Sequence, residues 1–270
     1  MKTSKNENYK TSRRGFISKL SAAAATGLIG ANRVKAASVL RQISNSGKQE
    51  SAMPMINLGP YRIGRLICGS NPILGYSYLG SHTDRQMKEY FTTERTVEFL
   101  NRCEQAGITT HQASSRYDYI ELLHARGSGL QIICLDSGQE KIKETIRIVQ
   151  PIAMVHHGGV SDRLFAQGNS EAVHDYVKEV KDRGLLAGVS AHNPDVIRQI
   201  ADEGWEVDFF MTCFYFLTRR LVKDEPVSVV PVGGYNFFKD DPTVMTKVIR
   251  QVKQPCLAFK MFIILFICEE

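Results

Sequence analysis

The sequence predicts an α/β protein of the (β/α)8 TIM-barrel class, and three observations carry this prediction. Short apolar runs rich in β-branched residues alternate with segments of helical periodicity from residue 55 to residue 260. Polar side chains, including four of the seven His, follow the predicted strands. No GxGxxG loop follows the first strand, as it would in an open dinucleotide-binding sheet. Repeated βα units at this spacing favour a parallel barrel.

Each element follows from a local signal. A Gly59-Pro60 turn predicts a small hairpin over residues 55–63, and glycines at 107 and 184 end two of the predicted helices. Asn193 is a candidate N-cap for the helix after it. The predicted strands are 65–68, 108–113, 130–135, 152–156, 186–189, 207–212 and 256–259. The predicted helices are 93–106, 118–125, 139–149, 170–183, 194–203 and 242–252.

Composition and charge exclude several classes of protein. The chain has 270 residues, of which 43% are apolar and 23% charged, so it is neither collagen-like nor disordered. The formal net charge of +6 comes from residues 1–36, which hold eight Lys or Arg and one acidic residue. The rest of the chain is close to neutral, so nothing in it indicates a nucleic-acid partner.

The basic N-terminal segment has the pattern of a targeting signal. Arg13-Arg14 lies in an S-R-R-x-F-I-x-K string, followed by a weakly apolar run over 20–31 and a cleavage-type sequence at 34–36. The run is too short and too rich in Ala and Gly for a stable membrane span. It resembles signals for the twin-arginine export machinery; the alternative is an ordinary amphipathic helix. We expect a signal peptide at 1–36, a linker at 37–53 and a barrel domain at 54–270, in a periplasmic or secreted protein.

The segment after residue 260 does not continue the βα pattern. Residues 261–268 are apolar on every face, and only about seven strands are predicted before them. One interpretation is an unusual last strand or helix that closes the barrel. The other is an interrupted reading frame, which would leave the barrel incomplete at its C-terminus.

The six cysteines show no CxxC pair and no metal-finger spacing. Four of them lie inside apolar runs. We therefore expect buried, small, apolar side chains.

Polar residues at the predicted strand ends define a candidate site, because barrel chemistry takes place at the carboxyl ends of the strands. Strand alternation directs one of His156 and His157 inward and the other outward. We expect a small-molecule site lined by Asn71, His111, Gln112, Asp136, His157, Ser190, His192, Asn193, Tyr215 and Lys260.

Several of these segments carry a resemblance to aldo-keto reductases. The stretches are AGITTHQA with Tyr117 after it, AMVHH at 153–157 and GVSAHNP at 188–194. The chain is also similar to a group of exported barrel proteins of uncertain activity that share YFTTER at 90–95 and HGGV at 157–160. The resemblance implies a (β/α)8 barrel over residues 55–260 and an NADP-dependent oxidoreductase domain.

That family uses an Asp, a Tyr, a Lys and a His, with the Tyr as proton donor beside a nicotinamide. By resemblance Tyr117 and His157 take the Tyr and His places. Gln112 stands where the Asp is expected and Asp136 where the Lys is expected. An anion near Tyr117 would raise its pKa, and the family's phosphate-binding segments around the last strand are absent. The cofactor therefore stays unassigned, and a conventional NADP-dependent reductase is not the favoured interpretation.

The favoured hypothesis is a barrel enzyme that acts on a small sugar-like or carbonyl substrate. Lys260, if desolvated, would be a Schiff-base nucleophile or an electrostatic clamp. His157 would be the general acid/base, and Tyr117 would donate a hydrogen bond. Asp136 completes the catalytic set.

Three alternatives stay open from the sequence. The four side chains His111, Asp136, His157 and His192 suit Zn or Mn by type, but no HxH or HExxH spacing supports a metal site, so none is predicted. A non-catalytic carbohydrate-binding protein would keep the pocket and lack the tetrad. A fragment without activity is the third. The 75–91 segment is interpreted as a loop, either a lid or a tether.

Overall fold

The computed structural model describes residues 53–219, 229–232 and 235–261. The predicted signal peptide, the linker up to residue 52 and the apolar tail from residue 262 lie outside the described residues. Within the described residues, no helix has the length and apolar character that a membrane span requires.

Strands and helices alternate along the described chain. The strands are β1 Met55–Leu58, β2 Tyr61–Gly64, β3 Thr110–Ser114, β4 Gln131–Asp136, β5 Ala153–His156, β6 Leu186–Ala191, β7 Phe209–Cys213, β8 Val229–Val232, β9 Tyr235–Phe238 and β10 Cys256–Phe259. The α-helices are α1 Asn71–Leu74, α2 Ser81–Tyr90, α3 Thr93–Gln105, α4 Ile120–Ala125, α5 Ile142–Val149, α6 Gly158–Ala166, α7 Glu171–Asp182, α8 Pro194–Asp202 and α9 Asp241–Gln251. A 3₁₀ turn, Gln139–Lys141, precedes α5.

Six of these strands form one parallel sheet in the order β10-β7-β6-β5-β4-β3. In this sheet, strands that are joined by helical connections lie next to each other, as they do in a (β/α)8 barrel. Strands β5 and β7 are buried along their whole length, which explains their continuous apolar sequences. The predicted α/β barrel class is confirmed: the described sheet is an incomplete barrel with helices around it.

Local signals set several helix ends as predicted. The Asn193 side chain accepts a hydrogen bond from the Asp195 backbone N–H at 2.9 Å and caps α8. The Thr92 side chain does the same for α3, accepting from the Arg95 N–H. Gly107 and Gly184 follow α3 and α7 with φ of 87° and 73°, which a side chain disfavours.

Two of the element predictions were wrong, and several elements were not predicted. Residues 65–68 do not form a strand of the sheet; Cys68 alone makes a parallel bridge to β3, at His111. The predicted loop at 75–91 contains α2, whose side chains include none that are buried. The helix α6 was not predicted, because it begins with two glycines and each Gly lowers helix propensity by about 1 kcal/mol. The antiparallel β8–β9 pair was also missed.

The described cysteines are mainly interior. Cys68, Cys134 and Cys213 are buried, while Cys103 and Cys256 are half-buried. Cys268 lies outside the described residues.

Candidate active site

The candidate active site is assembled where three parallel strands end. His157 follows β5, His192 follows β6 and Lys260 follows β10. Because parallel strands place their carboxyl ends at one edge, residues far apart in sequence meet there. The structure thereby joins His192 and Lys260, which are 68 positions apart in the chain.

A buried carboxylate, Asp162 in α6, fixes His192. The Asp162 carboxylate accepts hydrogen bonds from the His192 backbone N–H at 3.0 Å and from the Asn193 backbone N–H at 3.2 Å. It also accepts from the Thr218 hydroxyl at 2.9 Å. His192 Nδ1 lies 3.0 Å from Asp162 Oδ2, so this nitrogen carries the proton and donates it to the carboxylate.

Lys260 completes a chain of three polar side chains. Its Nζ lies 3.1 Å from His192 Nε2, the ring nitrogen that holds the lone pair when Nδ1–H faces Asp162. Burial lowers the pKa of Lys260, against the smaller opposing effects of Cys213, Tyr235 and Asp162. Burial also lowers the pKa of His192, although the hydrogen bond to Asp162 opposes this shift. A partly desolvated amine therefore contacts a neutral imidazole.

The Tyr78 ring also contacts the Lys260 ammonium. The Lys260 Nζ lies 5.1 Å from the centre of the Tyr78 ring, within the range of a cation–π contact. Asn71 Nδ2 donates a hydrogen bond to the Tyr78 hydroxyl at 3.2 Å. Burial raises the pKa of Tyr78 to about 12. The hydroxyl therefore stays protonated at neutral pH.

Both Tyr78 and Lys260 have backbones in the left-handed region, with φ of 62° and 60°. Such conformations cost a non-glycine residue on the order of 1 kcal/mol. Strained backbones of this kind concentrate at functional sites, where surrounding contacts hold a side chain in place.

His157 lies beside the same group of side chains. Burial lowers its pKa, and the charges of His192 and Lys260 lower it further. Its Nδ1 is buried without a hydrogen-bond partner among the described residues. Its neighbour His156 is directed into the interior, where Nδ1 lies 2.7 Å from the Ser161 hydroxyl. The two neighbouring histidines thus point in different directions, as strand alternation predicts.

Close packing explains the glycine after His157. A Cβ on Gly158 would lie 2.8 Å from the Ser190 hydroxyl and 3.3 Å from His192 Cε1. A Cβ on Gly159 would meet only the His157 ring, at 3.5 Å or more. Gly158 therefore lets α6 approach β6 closely enough for Asp162 to reach His192.

Tyr117 and Asp136 do not form the reductase arrangement, although the Asp136 carbonyl oxygen accepts a hydrogen bond from the His157 backbone N–H at 2.9 Å. Tyr117 packs against the main hydrophobic core, and its buried hydroxyl has no hydrogen-bond partner within the part of the chain that the structure describes. Burial, with Cys134 and Asp136 nearby, raises its pKa. Asp136 Oδ1 accepts the Ser137 and Gly138 backbone N–H groups at 2.6 and 3.1 Å. A proton donor needs a partner that lowers its pKa, so these residues do not fit hydride transfer with a nicotinamide.

His111 lies in the core. It has no exposed surface, and its two ring nitrogens lie 2.9 Å from the Cys68 carbonyl oxygen and 2.8 Å from the Tyr119 hydroxyl. Burial lowers its pKa to about 4. This geometry gives His111 a structural contact between β3 and the Cys68 segment and leaves it no free nitrogen for a ligand.

The remaining predicted substrate-binding residues are placed as follows. The Gln112 side chain donates to its neighbour's carbonyl, Ala113 O, at 2.9 Å. Ser190 is buried against Gly158, and Asn193 caps α8. Tyr215 is 2% exposed and packs edge-on against Phe237. Among these predicted residues, Asn71 is linked to Lys260 indirectly, because it contacts Tyr78 and Tyr78 contacts Lys260.

Among the described residues, no group of three or more His, Cys, Asp or Glu side chains is arranged to hold a metal ion. His111, with both nitrogens occupied, is not available to Asp136, His157 and His192 as a ligand. A cavity of about 10 Å³ beside His192, lined also by Pro194 and Cys213, has room for about one water molecule. It is too small for a substrate.

Sequence reasoning missed Asp162, and it offered Tyr78 only as one of several aromatic residues near the strand ends that could stack on a sugar. One signal for Asp162 was an acidic residue in the apolar stretch VSDRLF, four residues after the Gly158 position that begins α6. A buried acid on the inner face of a helix needs hydrogen-bond partners. Tyr78 had only the signal of an aromatic residue in a segment next to a predicted strand end.

No protein-family model matches the chain, and the comparison with curated proteins found no match. Similar solved structures include the holo form of the aldo-keto reductase AKR11C1 from Bacillus halodurans, at 16% identity and a TM-score of 0.42 over 59% of this chain and 57% of that chain. The N-acetylmannosamine-6-phosphate 2-epimerase from Clostridium perfringens is 13% identical, with a TM-score of 0.43 over 63% of this chain and 69% of that chain.

A truncated form of 3-deoxy-D-arabino-heptulosonate 7-phosphate synthase from Thermotoga maritima is 10% identical, with a TM-score of 0.43 over 78% of this chain and 71% of that chain. The chain thus spans just over half the length of the first of these proteins. At such identities and TM-scores the comparisons carry no inference about activity. The barrel class is assigned from the strand order itself.

Proposed function

We propose that the protein is an α/β-barrel enzyme that forms a Schiff base between Lys260 and a small carbonyl or sugar-like substrate. One observation carries the proposal. The half-buried Lys260 amine lies 3.1 Å from the free nitrogen of a histidine whose other nitrogen is held by a buried carboxylate at 3.0 Å. Burial makes an amine nucleophilic by disfavouring its charged form.

The chain of polar groups explains how the amine loses its proton. The Lys260 ammonium donates to His192 Nε2, and transfer along this hydrogen bond leaves a neutral amine and an imidazolium. Asp162 stabilises that imidazolium through the Nδ1–H bond. The amine nitrogen then bonds to the substrate carbonyl carbon.

His157 supplies the second proton transfer. Burial lowers its pKa, so the neutral ring takes a proton from the nitrogen of the first adduct and passes it to the oxygen. The His192 imidazolium then protonates this hydroxyl, which leaves as water when the carbon–nitrogen double bond forms. The charges of His192 and Lys260 both act on His157, and its Nδ1 has no hydrogen-bond partner among the described residues.

Aromatic side chains beside Lys260 favour a substrate with a flat apolar face and polar edges. The centres of the Tyr78 and Phe259 rings lie 5.1 and 5.2 Å from the Lys260 amine. Such rings bind the C–H faces of sugars while hydrogen bonds orient the hydroxyl groups.

Borohydride trapping tests the proposal. The full chain is incubated with a panel of small aldehydes, ketones and aldoses in the presence of cyanoborohydride, which reduces an imine to a stable amine. Trypsin cannot cleave after an alkylated Lys260, so the adduct is found by mass spectrometry on peptide 254–270 instead of 254–260. We expect labelling at Lys260 before any other lysine.

The matched control is the exposed Lys253, which no described carboxylate or imidazole contacts at hydrogen-bond distance. Lys253→Met should leave labelling unchanged and Lys260→Met should remove it. Equal labelling of both lysines in the unmodified chain would refute a special reactivity of Lys260.

The second candidate function is non-catalytic carbohydrate binding, favoured by the failure of Tyr117 and Asp136 to form the reductase arrangement. In that case Lys260 acts as an electrostatic clamp. Saturable binding of a sugar in calorimetry, without any trapped adduct or product, would select this function over the Schiff-base enzyme.

We also propose that residues 1–36 direct export by the twin-arginine route and that 37–53 link this signal to a barrel domain at 54–270. The support is the Arg13-Arg14 string ahead of an apolar run. In a bacterial host, replacing both arginines by Lys should keep the protein in the cytoplasm with its N-terminus uncleaved. Unchanged export of that variant would contradict the proposal; a Lys2→Gln, Lys5→Gln variant is the charge control.

A further inference from the structure

Two free thiols lie next to each other outside the candidate active site. The Sγ atoms of Cys68 and Cys103 are 3.9 Å apart, although the residues are 35 positions apart in the chain. Cys68 is 8% exposed and Cys103 is half-buried. No other pair of described cysteines has its sulfur atoms in hydrogen-bond contact.

We propose that Cys68 and Cys103 are an oxidisable pair that forms an intramolecular disulfide. A disulfide needs a sulfur–sulfur distance near 2.05 Å, so the two atoms must approach by about 1.9 Å. Rotation about the Cα–Cβ bonds moves a sulfur by this much. Cys103 lies in α3, and two backbone hydrogen bonds hold Cys68 against β3, which limits the search for the bonded geometry.

The contacts of the two residues explain what such a bond would fasten. The Cys68 backbone joins β3 through two hydrogen bonds, with its N–H donating to Thr110 O at 3.0 Å and its carbonyl accepting from the Gln112 N–H at 2.8 Å. Cys103 belongs to the last turns of α3, a helix that packs on the core through Val97 and Leu100. A disulfide would therefore tie a weakly paired segment to a well-packed helix.

This segment leads directly into the candidate active site. Asn71, three residues after Cys68, donates a hydrogen bond to Tyr78, and Tyr78 contacts Lys260. Fixing Cys68 would restrict the start of the α1 region that holds Tyr78. The inference itself does not depend on the proposed chemistry of Lys260.

The reaction proceeds by thiol–disulfide exchange with an external disulfide such as oxidised glutathione. Burial and the neighbouring thiol raise the pKa of Cys68 to about 12, so the more exposed Cys103 attacks first as a thiolate. One glutathione thiolate leaves. Cys68 then loses its proton and displaces the second glutathione from Cys103. The two protein thiols are oxidised, and one glutathione disulfide is reduced to two thiols.

Peptide mapping of the full chain tests the proposal. The protein is equilibrated in a glutathione redox buffer, quenched, unfolded and alkylated, and then digested with trypsin. Cys68 and Cys103 fall on peptides 66–85 and 103–116, each of which holds a single cysteine. We expect these two peptides linked, lighter than their sum by two hydrogen atoms, and the number of free thiols reduced from six to four.

Variants and stability measurements sharpen the test. Cys256→Ser, at a half-buried cysteine that contacts no other thiol among the described residues, should leave the linkage intact, and Cys103→Ser should abolish it. Reductant should lower the Tm of the oxidised protein by about 5–10 °C, because it opens a loop of 35 residues. The same reductant should not change the Tm of Cys103→Ser. Recovery of both peptides fully alkylated after oxidation of the folded unmodified chain would overturn the proposal, whether or not the variants fold.

Discussion

Acidification should destabilise this protein through histidines that are buried in their neutral form. His111 is fully buried and His156 is 2% exposed, and burial lowers the pKa of each to about 4 from an ordinary value of 6.5. Between pH 6.5 and 4 the unfolded chain therefore binds more protons than the folded one. Stability from these groups is complete above pH 6.5, falls as the pH drops and reaches its minimum below pH 4.

The size of the effect follows from the two pKa values. For each histidine, moving from pH 7 to pH 5 lowers the free energy of unfolding by about 2 kcal/mol. The two together give about 4 kcal/mol, a large share of the 5–15 kcal/mol typical of a folded domain. His157 and His192, whose pKa values burial also lowers, act with the same sign.

Urea unfolding of the full chain at pH 7 and pH 5 measures this loss. His111→Gln removes one of the titrating groups, so its loss between the two pH values should be about 2 kcal/mol smaller than that of the unmodified chain. Its stability at pH 7 will be lower, because contacts to the Cys68 carbonyl and the Tyr119 hydroxyl are weakened. The exposed His124 supplies the matched control, His124→Gln.

The result that would refute the reasoning is an equal loss in His111→Gln and in the unmodified chain. If the variant does not fold, ring ¹⁵N chemical shifts of the unmodified protein decide the question. His111 and His156 should remain neutral at pH 5.

Two further predictions concern the positioning of His192. Asp162→Asn keeps the shape of the side chain and removes its charge, so it should lower Lys260 labelling by cyanoborohydride at least tenfold and destabilise the fold by about 2–4 kcal/mol, measured by urea unfolding. Gly158→Ala places a methyl group 2.8 Å from the Ser190 hydroxyl and should cost about 1–3 kcal/mol, whereas Gly159→Ala should be neutral or stabilising by up to about 1 kcal/mol; equal Tm values for the two variants would contradict the packing argument.

Local sequence signals predicted most of the secondary structure. β-Branched runs gave β4, β5 and β7 to within a residue or two, and a cap residue placed the start of α8. These succeed because hydrogen bonding within a turn of helix and burial on alternate sides of a strand depend on neighbours in the chain. The prediction for 65–68 failed because a strand exists only if a partner pairs along its length, and here only Cys68 pairs.

In the candidate site, too, local sequence signals predicted some features and not others. Strand-end placement picked out His157, His192 and Lys260, since all parallel strands finish at one edge. It equally picked out His111, and the family resemblance picked out Tyr117; neither argument could separate these residues from the group around Lys260. Burial separates them: His111 bonds through both nitrogens inside the core, and the Tyr117 hydroxyl is enclosed.

The sequence by itself determined the barrel class, the alternation of its elements and the set of polar residues at the strand ends, because periodicity and capping are local properties. Only the tertiary structure decided which of these residues act together. Asp162 lies 30 positions before His192, and Lys260 lies 68 positions after it. Their hydrogen bonds and their pKa values depend on distance and burial in three dimensions, which chain order does not specify.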